Sequence, residues 1–159
     1  MDIEAKKNTL RMIPYGLYVV TGKKGDRIAV MTVNFITQCS FTPPMIAVAM
    51  EQDSTTRLLV EESGGFAVNV LEDGQRELAG QLGKRTASNP DKFNGIGWAA
   101  GNNSGAPILD EALAWLECQV QSTIISGDHV VYLGEVVEAG IHRDGQPLSM
   151  ASAGFRHAG

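Results

Sequence analysis

Apolar residues recur along this chain mostly at alternate positions in short runs, the spacing of half-buried strands rather than of helices. Residues 17–21 form a β-branched run, Gly22-Lys23-Lys24-Gly25-Asp26 reads as a hairpin turn, and residues 27–33 return as the partner strand. Residues 45–50 and 65–71 are two further strands. In residues 112–125, Leu116, Cys118 and Val120 alternate with Glu117, Gln119 and Gln121, which predicts one buried and one wet face. Ser126-Gly127-Asp128-His129 turns the chain, and residues 130–141 run back antiparallel. Helical spacing is confined to residues 54–62, with Asp53 or Ser54 as the cap, and to residues 75–82. Residues 84–110, rich in Gly, Asn, Ser and Pro, predict a long loop, and the tail from Arg143 predicts a surface segment.

Six or seven strands joined mainly by hairpins exclude a parallel sheet, which needs crossovers of about a dozen residues or more between most strands. The pattern predicts a mainly β fold, a closed or split antiparallel β-barrel with a few short peripheral helices. With 159 residues and no linker, the whole chain (1–159) is expected to be a single domain.

Charge and composition narrow the function. A net charge of −5 argues against a nucleic-acid surface, which must neutralise phosphates. No apolar run approaches the roughly 20 residues of a membrane span. The first residues, Met-Asp-Ile-Glu-Ala-Lys-Lys, lack the apolar core of a signal peptide, so a cytoplasmic protein is expected. Cys39 and Cys118 are far apart, and His129, His142 and His157 form no metal-ligand spacing with them; no metal and two reduced thiols are expected.

Four stretches could carry chemistry. Thr32, Asn34, Thr37, Gln38, Ser40 and Thr42 crowd hydrogen-bonding groups into a segment that Pro43-Pro44 stiffens. Alternation sends Thr32 and Asn34 to one face. Asp53-Ser54-Thr55-Thr56-Arg57 at a helix start combines free amides, a positive dipole end, hydroxyls and an arginine, a donor set suited to phosphate. Lys84, Arg85 and Lys92, with Phe93 beside the last, could neutralise a phosphate or close over a ring. Gly127-Asp128-His129 could bring an imidazole to a substrate. Each has a plainer reading: a polar loop that satisfies itself, an N-cap, a solvated surface, a turn. Gly95-Ile-Gly97-Trp-Ala-Ala-Gly101 is one residue too long for a dinucleotide fingerprint, and neither a phosphate-binding loop nor a Gly-x-Ser-x-Gly elbow is present.

Taken in order, these residues resemble the flavin reductase-like family of FMN-binding split barrels. The matching text is Tyr15-Gly-Leu-Tyr-Val-Val-Thr21, Met31-Thr-Val-Asn-Phe-Ile-Thr-Gln-Cys-Ser40 with Pro43-Pro44, Asp53-Ser-Thr-Thr56, Phe66-Ala-Val-Asn-Val-Leu71, Lys92-Phe93, Leu113-Ala-Trp-Leu-Glu-Cys118 and Gly127-Asp-His129. The Met-Thr-Val-Asn form is similar to the branch found as stand-alone reductases and as reductase modules of rubredoxin-linked and diflavin proteins. The resemblance implies a homodimer with FMN near the subunit interface. It implies that Thr32, Val33, Asn34, Thr37, Gln38, Cys39 and Ser40 line the flavin ring, Cys39 through its backbone, and that Ser54, Thr55 and Thr56 hold the phosphate. Lys84, Lys92 and Phe93 are implied as further contacts, Asn69 as another, and His129 as the group that positions a nicotinamide. The implied activity is an NAD(P)H:flavin oxidoreductase, with NADH or NADPH as donor and electrons passed to free flavin or to a protein such as rubredoxin, a diflavin protein or a monooxygenase. The alternative is a non-catalytic FMN-binding electron carrier. Phe35 departs from the Trp that this branch often carries, and the C-terminal end is short.

Overall fold

The computed structural model describes residues 1–157. Its elements run α1 (Ile3–Arg11), β1 (Tyr18–Lys24), β2 (Arg27–Val33), β3 (Ile36–Phe41), β4 (Pro44–Glu51), α2 (Thr55–Ser63), β5 (Gly65–Val70), α3 (Arg76–Leu82), β6 (Trp98–Ala100), β7 (Pro107–Leu109), β8 (Ala114–Ser126), β9 (His129–Ile141) and α4 (Met150–Ala153). Seven strands form one antiparallel sheet in the order β2-β1-β5-β8-β9-β4-β3, and β6 pairs with β7 apart from it.

The edges of that sheet are β2 and β3, yet their side chains meet. Val33 at the end of β2, Val20 of β1, Val48 and Met50 of β4, Phe66 of β5 and Tyr132 of β9 share one buried cluster, and Ile36 of β3 packs on it. Strands at opposite ends of a sheet can share a core only if the sheet curls on itself. The barrel is therefore split between β2 and β3, which are joined through Asn34 and Phe35 rather than by a ladder. Helix α2 buries Thr56, Leu59 and Val60, and Val60 belongs to the same core. Ser54 caps this helix, its Oγ accepting from the Arg57 amide at 3.3 Å, and Gly64 ends it in the left-handed conformation at φ +75°. A second core lies outside the barrel, where Val19 and Val30 meet Ala79 and Leu82 of α3, and Leu148, Met150 and Ala153 of the tail.

The mainly β, antiparallel prediction holds, and the differences have physical causes. The β1–β2 ladder continues to Lys24↔Arg27, so the turn narrows to Gly25 and Asp26, with Gly25 at φ +59°. The polar stretch read as a loop contains the edge strand β3. The 84–110 segment contains the short hairpin β6–β7. The tail from Arg143 is exposed to Pro147 as expected, but beyond that Leu148, Met150 and Ala153 are buried. Glu117 is not on the wet face. Alternation holds: Cys118 faces the barrel core with Phe66, while Glu117, opposite Ala67, lies on the outer face, which the loop at residues 101–104 covers, so both are buried. The Glu117 carboxylate accepts from the Ser104 amide and hydroxyl, both at 2.7 Å, and from the Asn103 amide at 3.1 Å. Helix α1, absent from the sequence reading, buries none of its residues. Among the described residues no helix is long and apolar enough to cross a membrane.

Candidate functional site

Two cavities meet beside the end of β4, and they share Met31, Glu51 and Gly83. The first, of about 280 Å³, is lined by Thr32, Asn34, Phe35, His129, Phe155 and His157 among others. The second, of about 180 Å³, is lined by Ser54, Thr55, Thr56, Lys84, Arg85 and Lys92 among others.

The first cavity is built on β2. Alternation brings Thr32 and Asn34 to it together, as the sequence predicts, while the side chain of Val33 belongs to the barrel core. The Thr32 hydroxyl donates to the Ala79 carbonyl of α3 at 2.6 Å, and the Asn34 amide donates to the His157 carbonyl of the tail at 2.9 Å. Phe35 forms an aromatic wall with Tyr15, His129 and His157, at centroid distances of 5.5, 5.6 and 6.4 Å. His129 enters at the start of β9, and its Nδ1 lies 2.6 Å from the Asp128 carboxylate. A wall of rings with a few fixed polar groups suits a flat heteroaromatic ligand.

The second cavity is built on the start of α2. Helix geometry leaves the Thr55 and Thr56 amides without intrahelical partners at the positive end of the dipole, and no acidic residue lies in the first turn. Lys84 lines this cavity and forms no ion pair among the described residues. Arg85 stands at the rim, paired with Asp53 at 3.2 Å and Glu51 at 3.6 Å. Free amides, hydroxyls and a lysine at a helix start make a donor set for phosphate. A ligand with a planar ring and a phosphate, such as FMN, fits this pair of cavities in kind and in order.

Other expected residues lie elsewhere. Thr37, Gln38, Cys39 and Ser40 stand on edge strand β3 and line neither cavity; the Gln38 side chain donates to the Ser40 carbonyl at 3.1 Å. Asn69 is corrected to a structural residue. Fully buried, its amide donates to the carbonyls of Val19 and Pro107 at 3.2 and 3.3 Å, and its oxygen accepts from the Leu109 amide at 2.8 Å. It pins β7 to the sheet and has no donor left for a ligand. Phe93 is corrected likewise: it packs on the outer core and beside Trp98 at 6.3 Å. Lys92 does line the second cavity, but its Nζ donates to the Leu82 and Lys84 carbonyls at 2.9 and 2.6 Å, and burial lowers its pKa. It fixes the end of α3 and leaves one hydrogen free.

The sequence reading missed Phe155, His157, Gly80 and Gly83. The first two arrive from the tail. Gly83 lies close where α3 ends against β2: a Cβ there would stand 3.1 Å from the Ala79 carbonyl and 3.5 Å from Thr32. No group of three or more metal-ligating side chains occurs among the described residues. Burial raises the Cys118 thiol to a pKa of about 12, so it is inert.

Comparison with known proteins adds the lineage of this arrangement. A model of the flavin reductase like domain matches residues 10–159. The chain is 34% identical over 153 residues to a high molecular weight rubredoxin of Moorella thermoacetica, covering 95% of this chain and 65% of that one. It is 32% identical over 157 residues to a flavin reductase of Pseudomonas putida, covering 98% and 89% of the two chains. Among solved structures, the NADH:FAD oxidoreductase SgcE6 of Streptomyces globisporus superposes with a TM-score of 0.77 at 34% identity, covering 86% of this chain and 82% of that one. The chain spans less than two thirds of the length of the curated relatives that head its matches, 65% of the rubredoxin and 22% of two diflavin flavoproteins.

Proposed function

The chain belongs to the flavin reductase like family, and from that premise we propose that it binds FMN across the two cavities and transfers hydride from NADH or NADPH to flavin. The observation that carries this reading is the continuity of a ring-walled cavity with a helix start that offers two free amides and Lys84. When bound, the flavin supplies the hydride acceptor and the store of electrons. The protein's own part is to hold and to aim. Thr55, Thr56 and Lys84 hold the phosphate. Thr32 and Asn34 stand beside the ring, and Phe35 covers one side of the space that the nicotinamide enters. His129 positions the nicotinamide, and no side chain of the cavity has to take or give a proton in the hydride step. Electrons then leave to free flavin or to a protein acceptor; the rubredoxin and diflavin relatives support the second route.

Colour tests the reading. The purified protein, loaded with FMN, is expected to be yellow and to bleach anaerobically on adding NADH or NADPH. Yellow protein that bleaches only with dithionite is the electron carrier instead, and protein that gains no flavin spectrum on titration with FMN is neither.

The same reading makes the protein a cytoplasmic homodimer. Its support is apolar surface without cover in one chain: Phe41 on β3 is 88% exposed, Ile125 on β8 78% and Ile141 on β9 77%, and α1 buries nothing. Sedimentation velocity is expected to give a dimer at micromolar protein, and a monomer there would sink this part of the reading. The two free thiols suit a reducing compartment.

A further inference from the structure

We propose that residues 155–157 form a latch over the first cavity, held shut by Arg76 on one wall and Asn34 on the other, and that its opening sets how fast flavin enters and leaves. This rests on the reading of that cavity as the flavin site and adds a control over flavin exchange that the reading leaves open.

The chain is firmly seated up to Gly154. Leu148, Met150 and Ala153 are buried, and Ser149 caps α4, its Oγ accepting from the Ser152 amide at 3.0 Å. Gly154 then takes the left-handed conformation at φ +68°, and the Phe155 amide closes the turn by donating to the Met150 carbonyl at 3.1 Å. Beyond Phe155 no backbone-to-backbone hydrogen bond holds the chain among the described residues. Yet Phe155 and His157 line the cavity. Its other walls are of a different kind: Thr32 lies in the β2 ladder, Ala49 in β4, His129 in β9 and Ala79 in α3.

Side-chain contacts draw the segment across. Arg76, at the start of α3, donates from Nε to the Ala153 carbonyl at 2.6 Å, and its guanidinium stands 5.3 Å from the centre of the Phe155 ring. The Phe155 ring also reaches Gly80, one turn along α3, where an added Cβ would lie 3.6 Å from it. On the opposite wall the Asn34 side chain donates to the His157 carbonyl at 2.9 Å, and the His157 ring tilts against Phe35. The segment therefore bridges α3 and the β2–β3 joint.

Each contact is weak alone: a hydrogen bond at a half-buried site, a cation over a ring, a tilted ring pair. Together they close the segment without locking it. Gly154, with open space where a Cβ would stand, is the point about which it swings. A gate that closes over the empty and the filled cavity alike scales association and dissociation by the same factor and leaves the equilibrium unchanged. A residue that only touches the ligand changes dissociation far more than association. The two roles leave different kinetic marks.

The experiment is stopped-flow flavin fluorescence with FMN and the purified protein, association by mixing and dissociation by dilution. R76A removes the hold on both Ala153 and Phe155 and is expected to raise both rate constants about tenfold, with Kd changed by less than about twofold. R76K keeps a cation over the ring but not the planar fork, and is expected to recover part of the difference. F155A opens the gate by another route, and R76A in that background should add less than it does alone, because both act on one segment. Rates that neither R76A nor F155A moves, or a rise in dissociation alone, overturn the latch. Wild-type protein that takes up no FMN overturns the functional reading and the latch with it, so the two failures are distinct.

Discussion

Thr55→Glu is expected to weaken FMN binding about a hundredfold while leaving riboflavin binding and the fold as they are. Thr55 is the first residue of α2, is exposed, and lines the second cavity. The first turn contains no acidic residue, so a carboxylate there meets the unopposed positive end of the helix. For stability that is favourable, by about 0.3–1 kcal/mol at an exposed N-terminus. For a bound phosphate it is the reverse: the new carboxylate competes for the Thr55 and Thr56 amides and repels the phosphate at close range. Like charges brought together cost several kcal/mol, and a hundredfold change in Kd is about 2.7 kcal/mol. Riboflavin has the ring without the phosphate and should not feel the change. Flavin-fluorescence titrations with both ligands, beside a thermal melt, separate the terms. An equal loss for FMN and riboflavin would place the phosphate elsewhere or show damage to the ring cavity, and no loss for either would remove α2 from the site.

The two halves of this site were not equally legible in the sequence. The helix start is a local signal: hydroxyls before an amphipathic run mark a cap wherever it occurs, and Ser54 caps α2 as that signal predicts. Thr32 and Asn34 follow from the period of two along a strand with one face against the barrel. Strand β3 escaped because an edge strand with Thr37, Gln38 and Cys39 all exposed has no buried face, and periodicity records burial, not backbone pairing. Helix α1 is silent for the same reason. At three residues each, β6 and β7 are too short to show a period. Asn69 was misread, and the anchoring of Lys92 unseen, because a polar residue in sequence does not announce its partner. Theirs are backbone carbonyls brought up by the fold, and such bonds leave no pattern in side-chain order. His157 and Phe155 reach the cavity from the far end of the chain, where nothing local marks them.

Glu117 is the second place where the fold turns on a residue that the pattern misplaced, and Glu117→Leu is expected to destabilise the protein by about 3–5 kcal/mol. The carboxylate is fully buried, and the loop at Asn103 and Ser104 is wrapped on it through two amides and a hydroxyl. The packing is close: a Cβ on Gly101 would clash with the same carboxylate. Replacing a buried ion by an apolar residue is often neutral, but only when its partners can be replaced as well. Here two of the donors are backbone amides that no substitution removes, and leucine strands them away from an acceptor. At roughly 2–4 °C per kcal/mol for a chain of this size, the melting temperature should fall by about 10 °C. Glu117→Gln keeps an oxygen on the same donors and should cost about 1–2 kcal/mol. Acid separates charge from shape. Burial pushes the Glu117 pKa up, but the Ser104 and Asn103 hydrogen bonds outweigh it and hold the folded-state value below normal. A depressed carboxylate stabilises the fold fully above its unfolded pKa, about 4.3, and loses that contribution as pH falls through the folded value. Melting curves between neutral pH and about pH 3 should therefore show a steeper acid limb for the wild type than for Glu117→Gln, which has no proton to take up there. Parallel limbs would mean that the buried carboxylate enters the structure already protonated, and with it the account of the Asn103–Ser104 loop as a set of donors gathered on a charge would fall.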